Sequence, residues 1–93
     1  MKSDSIVKQP QSRLLKAGRV ILNPGEEVGE HVTEQREEVI IIVKGIASLV
    51  RNGEKIRLVE GDAAFVQEGV KHNVINKSDR KLEYIYVVSS LVK

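Results

Sequence analysis

Apolar positions in this chain fall in short alternating runs. Leu82, Tyr84, Tyr86 and Val88 occupy every second residue, so all four share one face of a strand. Glu38, Ile40 and Ile42 share a face in the same way, as do His31 with Thr33, and His72, Val74 and Asn76. No stretch sustains a 3.6-residue period over several turns. The pattern predicts strands over Leu14–Leu22, Glu27–Thr33, Glu38–Val43, Ala47–Arg51, Glu54–Val59, Ala63–Gln67, His72–Asn76 and Leu82–Ser89. Turn residues separate them at Asn23-Pro24-Gly25, Gly61-Asp62 and Glu68-Gly69. Asn52-Gly53 between two apolar runs predicts a hairpin with a type I′ turn, which needs positive φ at both central residues. Residues 1–12 are polar, contain Pro10 and show no period, so we expect a tail followed by one domain over 13–93. About eight short strands in one small unit point to an all-β jelly roll or a related closed sandwich.

Composition narrows the chemistry. Ninety-three residues suit one domain with a thin core. Cysteine is absent, which excludes a disulfide scaffold, a thiolate zinc site and a cysteine nucleophile. The longest strongly apolar run, Val39–Val43, is far short of the about 20 residues a membrane helix needs. The opening Met-Lys-Ser-Asp-Ser has no apolar signal region. No membrane partner and a cytoplasmic location are therefore expected. The net charge of +2 and three aromatic residues, Phe65, Tyr84 and Tyr86, argue against a nucleic-acid partner. The charge is unevenly spread. Between Glu26 and Glu38 six acids stand against one base, Arg36, in the segment that also holds His31.

His31 and His72 are the only histidines, and each follows a glycine-containing turn. His31 and Glu38 differ by an odd number, so they cannot share a face of one straight strand. A hairpin-like bend in Glu34–Glu37 would let them meet across two neighbouring strands. Glu38 opens the most apolar stretch of the chain, where an inward carboxylate is costly unless it is paired or metal-bound. Glu37 should face outward. Asn76 reads as a strand-end side chain that bonds nearby backbone.

The spacing around these residues resembles the cupin superfamily. Gly25, five residues, His31-Val32-Thr33, four residues, Glu38, six residues and Gly45 are similar to its first motif. Gly61, five residues, Gln67-Glu68-Gly69, two residues, His72, three residues and Asn76 are similar to its second. The departures are Thr33, where the family carries a second histidine, and Gln67, where it carries proline. The resemblance implies a small double-stranded β-helix, a jelly-roll barrel. It implies a divalent metal (Fe, Mn, Zn or Ni) held by His31, Glu38 and His72, with Thr33 as a pocket residue rather than a fourth ligand. The pocket wall is expected from Ile40, Ile42 and Val74, with Phe65 or Tyr86. The implied function is a metal-dependent oxygenase or isomerase acting on a small organic molecule. Two alternatives stand beside it: a non-catalytic module that binds a small ligand, and a structural dimer with a degenerate metal site. A homodimer is expected under each, paired through sheet edges with Leu14–Leu22 as the exchanging strand.

Overall fold

The alternating face of Leu82–Val88 lies at the centre of the larger of two antiparallel sheets. The computed structural model describes residues 1–91, so the last two residues of the expected domain lie outside the described residues. Nine strands form among the described residues, with no helix. They are β1 (Lys2–Val7), β2 (Leu15–Leu22), β3 (His31–Val32), β4 (Arg36–Lys44), β5 (Ile46–Arg51), β6 (Glu54–Val59), β7 (Ala63–Val66), β8 (Lys71–Ile75) and β9 (Leu82–Ser90). The order is β1-β2-β9-β4-β7 in one sheet and β3-β8-β5-β6 in the other. This is the all-β, jelly-roll-type fold that the strand pattern and the family resemblance lead to.

Inward positions of both sheets form the core. Leu22, Ile40, Ile42, Leu49, Val66 and Leu82 are almost fully buried. Each such side chain contributes about 1.5–3 kcal/mol when taken out of water. Asn52 and Gly53 both have positive φ, as a type I′ turn between β5 and β6 requires. Gly45 carries the chain from β4 in one sheet to β5 in the other. Its φ is +95°, and a Cβ there would stand 2.6 Å from the Lys81 carbonyl oxygen, so only glycine fits.

Three expectations need correction. Residues 1–12 do not form a plain tail, because β1 pairs with β2 from Lys2↔Ile21 to Val7↔Ala17. The side chains of β1 are almost all exposed, and it joins the sheet through backbone pairing with β2, so no apolar period marks it. The second concerns β2, expected as the exchanging strand. It is flanked on both sides, by β1 and β9, and the sheet edge is β1. The third is Glu27–Thr33, which is strand only at His31–Val32. The rest follows β8 through isolated contacts, the Glu27–Ile75 bridge and Val28 N–H to Val74 O at 3.0 Å.

Candidate metal centre

His31 and His72 face each other directly, as Cα partners in the β3–β8 pairing. Opposed residues of an antiparallel pair project to the same side, here the gap between the sheets. Their ring centroids lie 4.1 Å apart with the planes tilted by 58°. Glu38 approaches from β4 in the opposite sheet, and its Oε1 lies 3.1 Å from His72 Nε2. The meeting of His31 and Glu38 therefore does not cross two neighbouring strands, as the sequence reading had it. It crosses between the sheets, because the Thr33–Gln35 turn carries the chain from β3 to β4. Gln35 takes a left-handed φ of 57° there. One ligand-type atom from each of His31, Glu38 and His72 lies within 4.8 Å of the others.

Backbone carbonyls set the state of both rings. His72 Nδ1 lies 2.9 Å from Val70 O, and His31 Nδ1 lies 2.8 Å from Gly29 O. A carbonyl only accepts, so each Nδ1 carries the proton and each neutral ring keeps its lone pair on Nε2. The His72 lone pair then points at a carboxylate oxygen. Two acceptors at that distance repel unless a proton or a cation lies between them. In the metal-free protein the proton is favoured: hydrogen bonding to Glu38 raises the His72 pKa, with burial opposing. Tyr84 is buried beside this pair. Burial and the Glu38 charge push its hydroxyl well above the usual range, so it stays neutral.

The donor set is chemically suited to a divalent transition metal: two imidazole lone pairs and one carboxylate, with room for further ligands. Histidine ligands in such sites donate their second N–H to a carbonyl or carboxylate, as both do here. The cluster is compatible with a metal ion.

Asn73 holds the segment that presents His31, and the sequence reading missed it. It lies on the face of β8 opposite His72 and is 8% exposed. Its Oδ1 accepts from Gly29 N–H at 2.8 Å, and its Nδ2 donates to Glu27 Oε1 at 3.1 Å. Asn76 behaves as expected. Its amide donates to Leu22 O and Arg80 O, and its Oδ1 accepts from Ser78.

A cavity of about 270 Å³ opens over the three side chains. Thr33, Ile40, Val74 and Tyr86 are among the residues that line it. Ile42 is not. It faces inward like Ile40 but lies one strand repeat deeper, in the core. Phe65 is on the outer face of β7, 47% exposed, so Tyr86 takes the aromatic place. Gly18 gives Tyr86 its room, since a Cβ there would lie 2.6 Å from the ring carbon Cζ. Lys16, Val20, Val28, Arg36 and Val88 also line the cavity, none of them assigned to the pocket from the sequence. The signal was available for Lys16 and Val20, which alternate on β2 in phase with buried Leu22.

Among curated proteins, the chain is 30% identical over 74 residues to the tetracenomycin polyketide synthase protein TcmJ of Streptomyces glaucescens, covering 80% of this chain and 50% of that protein. It is 31% identical over 70 residues to the oxalate-binding protein of Thermotoga maritima, covering 75% and 58%. The chain thus spans about half the length of these curated relatives. Among solved structures, a predicted oxalate decarboxylase of Thermotoga maritima superposes with a TM-score of 0.89 at 25% identity, over 96% of this chain and 79% of that one. A cupin 2 conserved barrel domain protein of Salinispora arenicola shares the fold, with a TM-score of 0.85 at 23% identity over 96% and 75%. The Cupin domain family pattern matches residues 18–88, which include both motifs and all three clustered side chains. The chain belongs to the cupin domain family.

Proposed function

We propose that His31, Glu38 and His72 bind one divalent metal ion and that a small organic molecule occupies the cavity above it. The observation that carries this reading is the pair of pinned histidines. Both Nδ1 atoms are engaged by carbonyls, which leaves Nε2 of each ring as the ligand-type atom, and His72 Nε2 already lies 3.1 Å from Glu38 Oε1. When bound, such a metal polarises a ligand oxygen or offers a site for O₂. Glu38 supplies the one carboxylate charge of the centre. Val20, Val28, Ile40 and Val74 form an apolar wall that keeps water from the reacting end of the ligand. Gly18 and Tyr86 set the width of the cavity. Oxygenation or isomerisation of a small organic acid or related oxygen-rich molecule is the activity we assign. The oxalate named for the Thermotoga maritima relative supports that ligand class.

Binding without turnover is the second reading, and Thr33 favours it. A hydroxyl at the fourth family position leaves a looser centre than a third imidazole would. The two separate by experiment. Protein loaded with Fe, Mn, Zn or Ni is offered small organic acids, with O₂ uptake and product NMR as readouts. Turnover that disappears in His72→Ala supports the enzyme. Saturable binding with no product in any metal form supports the module.

A second copy of the chain covers the outer face of the larger sheet in this reading. Val39, Ile41 and Val43 on the outward face of β4 and Phe65 on β7 are all exposed, and Val39 pairs directly with Phe65. A contiguous apolar stripe of this kind favours burial against another surface. Light scattering is expected to give twice the chain mass of 10.4 kDa, and a mass near 10.4 kDa would refute the dimer.

A further inference from the structure

Lys16, Val88 and Glu38 stand in one row across three strands. Lys16 on β2 pairs with Val88 on β9, and Val88 pairs with Glu38 on β4. Directly paired residues project to the same face, so the Lys16 side chain leaves the sheet on the side of Glu38. Strands are spaced about 4.8 Å apart, which puts the Lys16 backbone about 10 Å from that of Glu38. Arg36, two residues before Glu38, shares its face of β4 one step nearer the mouth.

Lys16, Arg36 and Val88 line two spaces at once. One is the cavity over the clustered histidines. The other, of about 320 Å³, adjoins it and is also lined by Lys8, Gln9 and Ser90. Among the described residues Arg19, Arg51 and Lys71 have carboxylate partners, Glu83, Glu54 and Glu30, and Lys8, Lys16 and Arg36 are the lysine and arginine side chains that line these two spaces. Among the described residues no carboxylate pairs with Lys8, Lys16 or Arg36. Unpaired cations around a concave, partly apolar space raise the local concentration of anions and bind them by charge-assisted hydrogen bonds.

We infer that the wall shared by the two cavities is an anion subsite, with Lys16 and Arg36 as its binding residues and Lys8 at its outer rim. The ligand is then a small organic dianion. One end lies at the clustered histidines and Glu38, and the other, a carboxylate or a phosphate-type group, lies between Lys16 and Arg36. This rests on the proposed metal centre for the first end only.

The test compares ligands that differ in the second charge alone. Metal-loaded protein is titrated calorimetrically with glutarate against valerate, and with 3-phosphonopropionate against 4,4-dimethylpentanoate, whose tert-butyl end matches the phosphonate in shape. The dianion of at least one pair is expected to bind about ten-fold tighter or more, as a charge-assisted contact allows. Which pair shows the larger preference identifies the anionic group. Lys16→Gln/Arg36→Gln is expected to bring each dianion to the level of its monoanion while metal content stays at the parent value. Both residues are exposed, and the two single variants give intermediate values if the double variant folds poorly. Equal affinities in the parent, or a preference that survives in the variants, would overturn the subsite and leave the metal centre standing. If the chain takes up no metal, the metal reading fails alone. The subsite is then read on metal-free protein from amide shifts during titration with inorganic phosphate. Shifts centred on residues 16, 36 and 88 that vanish in the double variant support it, and their absence overturns it.

Discussion

His72 Nε2 lies 3.1 Å from Glu38 Oε1 across the gap between the two sheets, while Nδ1 of the same ring is held by the Val70 carbonyl. With Nδ1–H given to Val70, a neutral ring and an ionised Glu38 turn two acceptors toward each other. Either a proton or a metal cation stands between nitrogen and oxygen. Two buried side chains thus present the same choice that a metal site presents, proton or metal, and several measurable properties follow from it.

Stability of the metal-free protein depends on the proton. Hydrogen bonding to Glu38 raises the folded-state pKa of His72, while the unfolded value is about 6.5. The contribution is therefore full below about pH 6.5 and is lost as pH rises through the higher folded value. Metal reverses the sign, because it needs the deprotonated ring and competes with the proton. Between about pH 6 and pH 8 the urea midpoint of metal-free protein should fall, and that of metal-loaded protein should rise. Parallel slopes in the two forms would contradict the assignment of His72.

Asn73 joins the metal centre to the loop that carries His31. Asn73→Ala frees the Gly29 N–H, whose residue also supplies the carbonyl that holds His31 Nδ1. Metal affinity should drop about ten-fold, as for other groups that orient a ligand from behind. Competition against a chromophoric chelator measures this. An unchanged affinity would show that His31 is positioned without Asn73.

Gly45 is the tightest point of the crossover between sheets. Gly45→Ala adds a Cβ at 2.6 Å from the Lys81 carbonyl oxygen and strains a φ of +95°. Gly25→Ala strains a similar φ of +84° with nothing within 4 Å. We expect Gly45→Ala to lose more than about 1 kcal/mol in urea unfolding, and clearly more than Gly25→Ala. Equal losses would mean that the carbonyl moves aside without cost.

Period-two alternation made the central strands legible. The apolar face of Leu82–Val88 and the Asn52-Gly53 turn stand where the sequence puts them. β1 was hidden because Lys2–Val7 buries almost nothing, and backbone pairing leaves no trace in the pattern. The ligand-type residues were legible from spacing within the two motifs. Their route of approach was not, since alternation tells which face of a strand a residue takes but not which sheet the next strand joins. Hence Glu38 reaches His31 from the opposite sheet rather than from a neighbouring strand. Lys16 and Arg36 were passed over for a related reason. An exposed cation looks like any solvated surface charge until strand register puts it in line with Glu38.

Whether His31, Glu38 and His72 hold one metal ion is decided by metal analysis with inductively coupled plasma mass spectrometry on tag-free protein beside Glu38→Ala and His72→Ala. About one transition metal per chain is expected in the parent and near none in either variant. A parent that stays empty after reloading with Fe, Mn, Zn or Ni would contradict the metal centre, as would variants that keep the parent's full metal content.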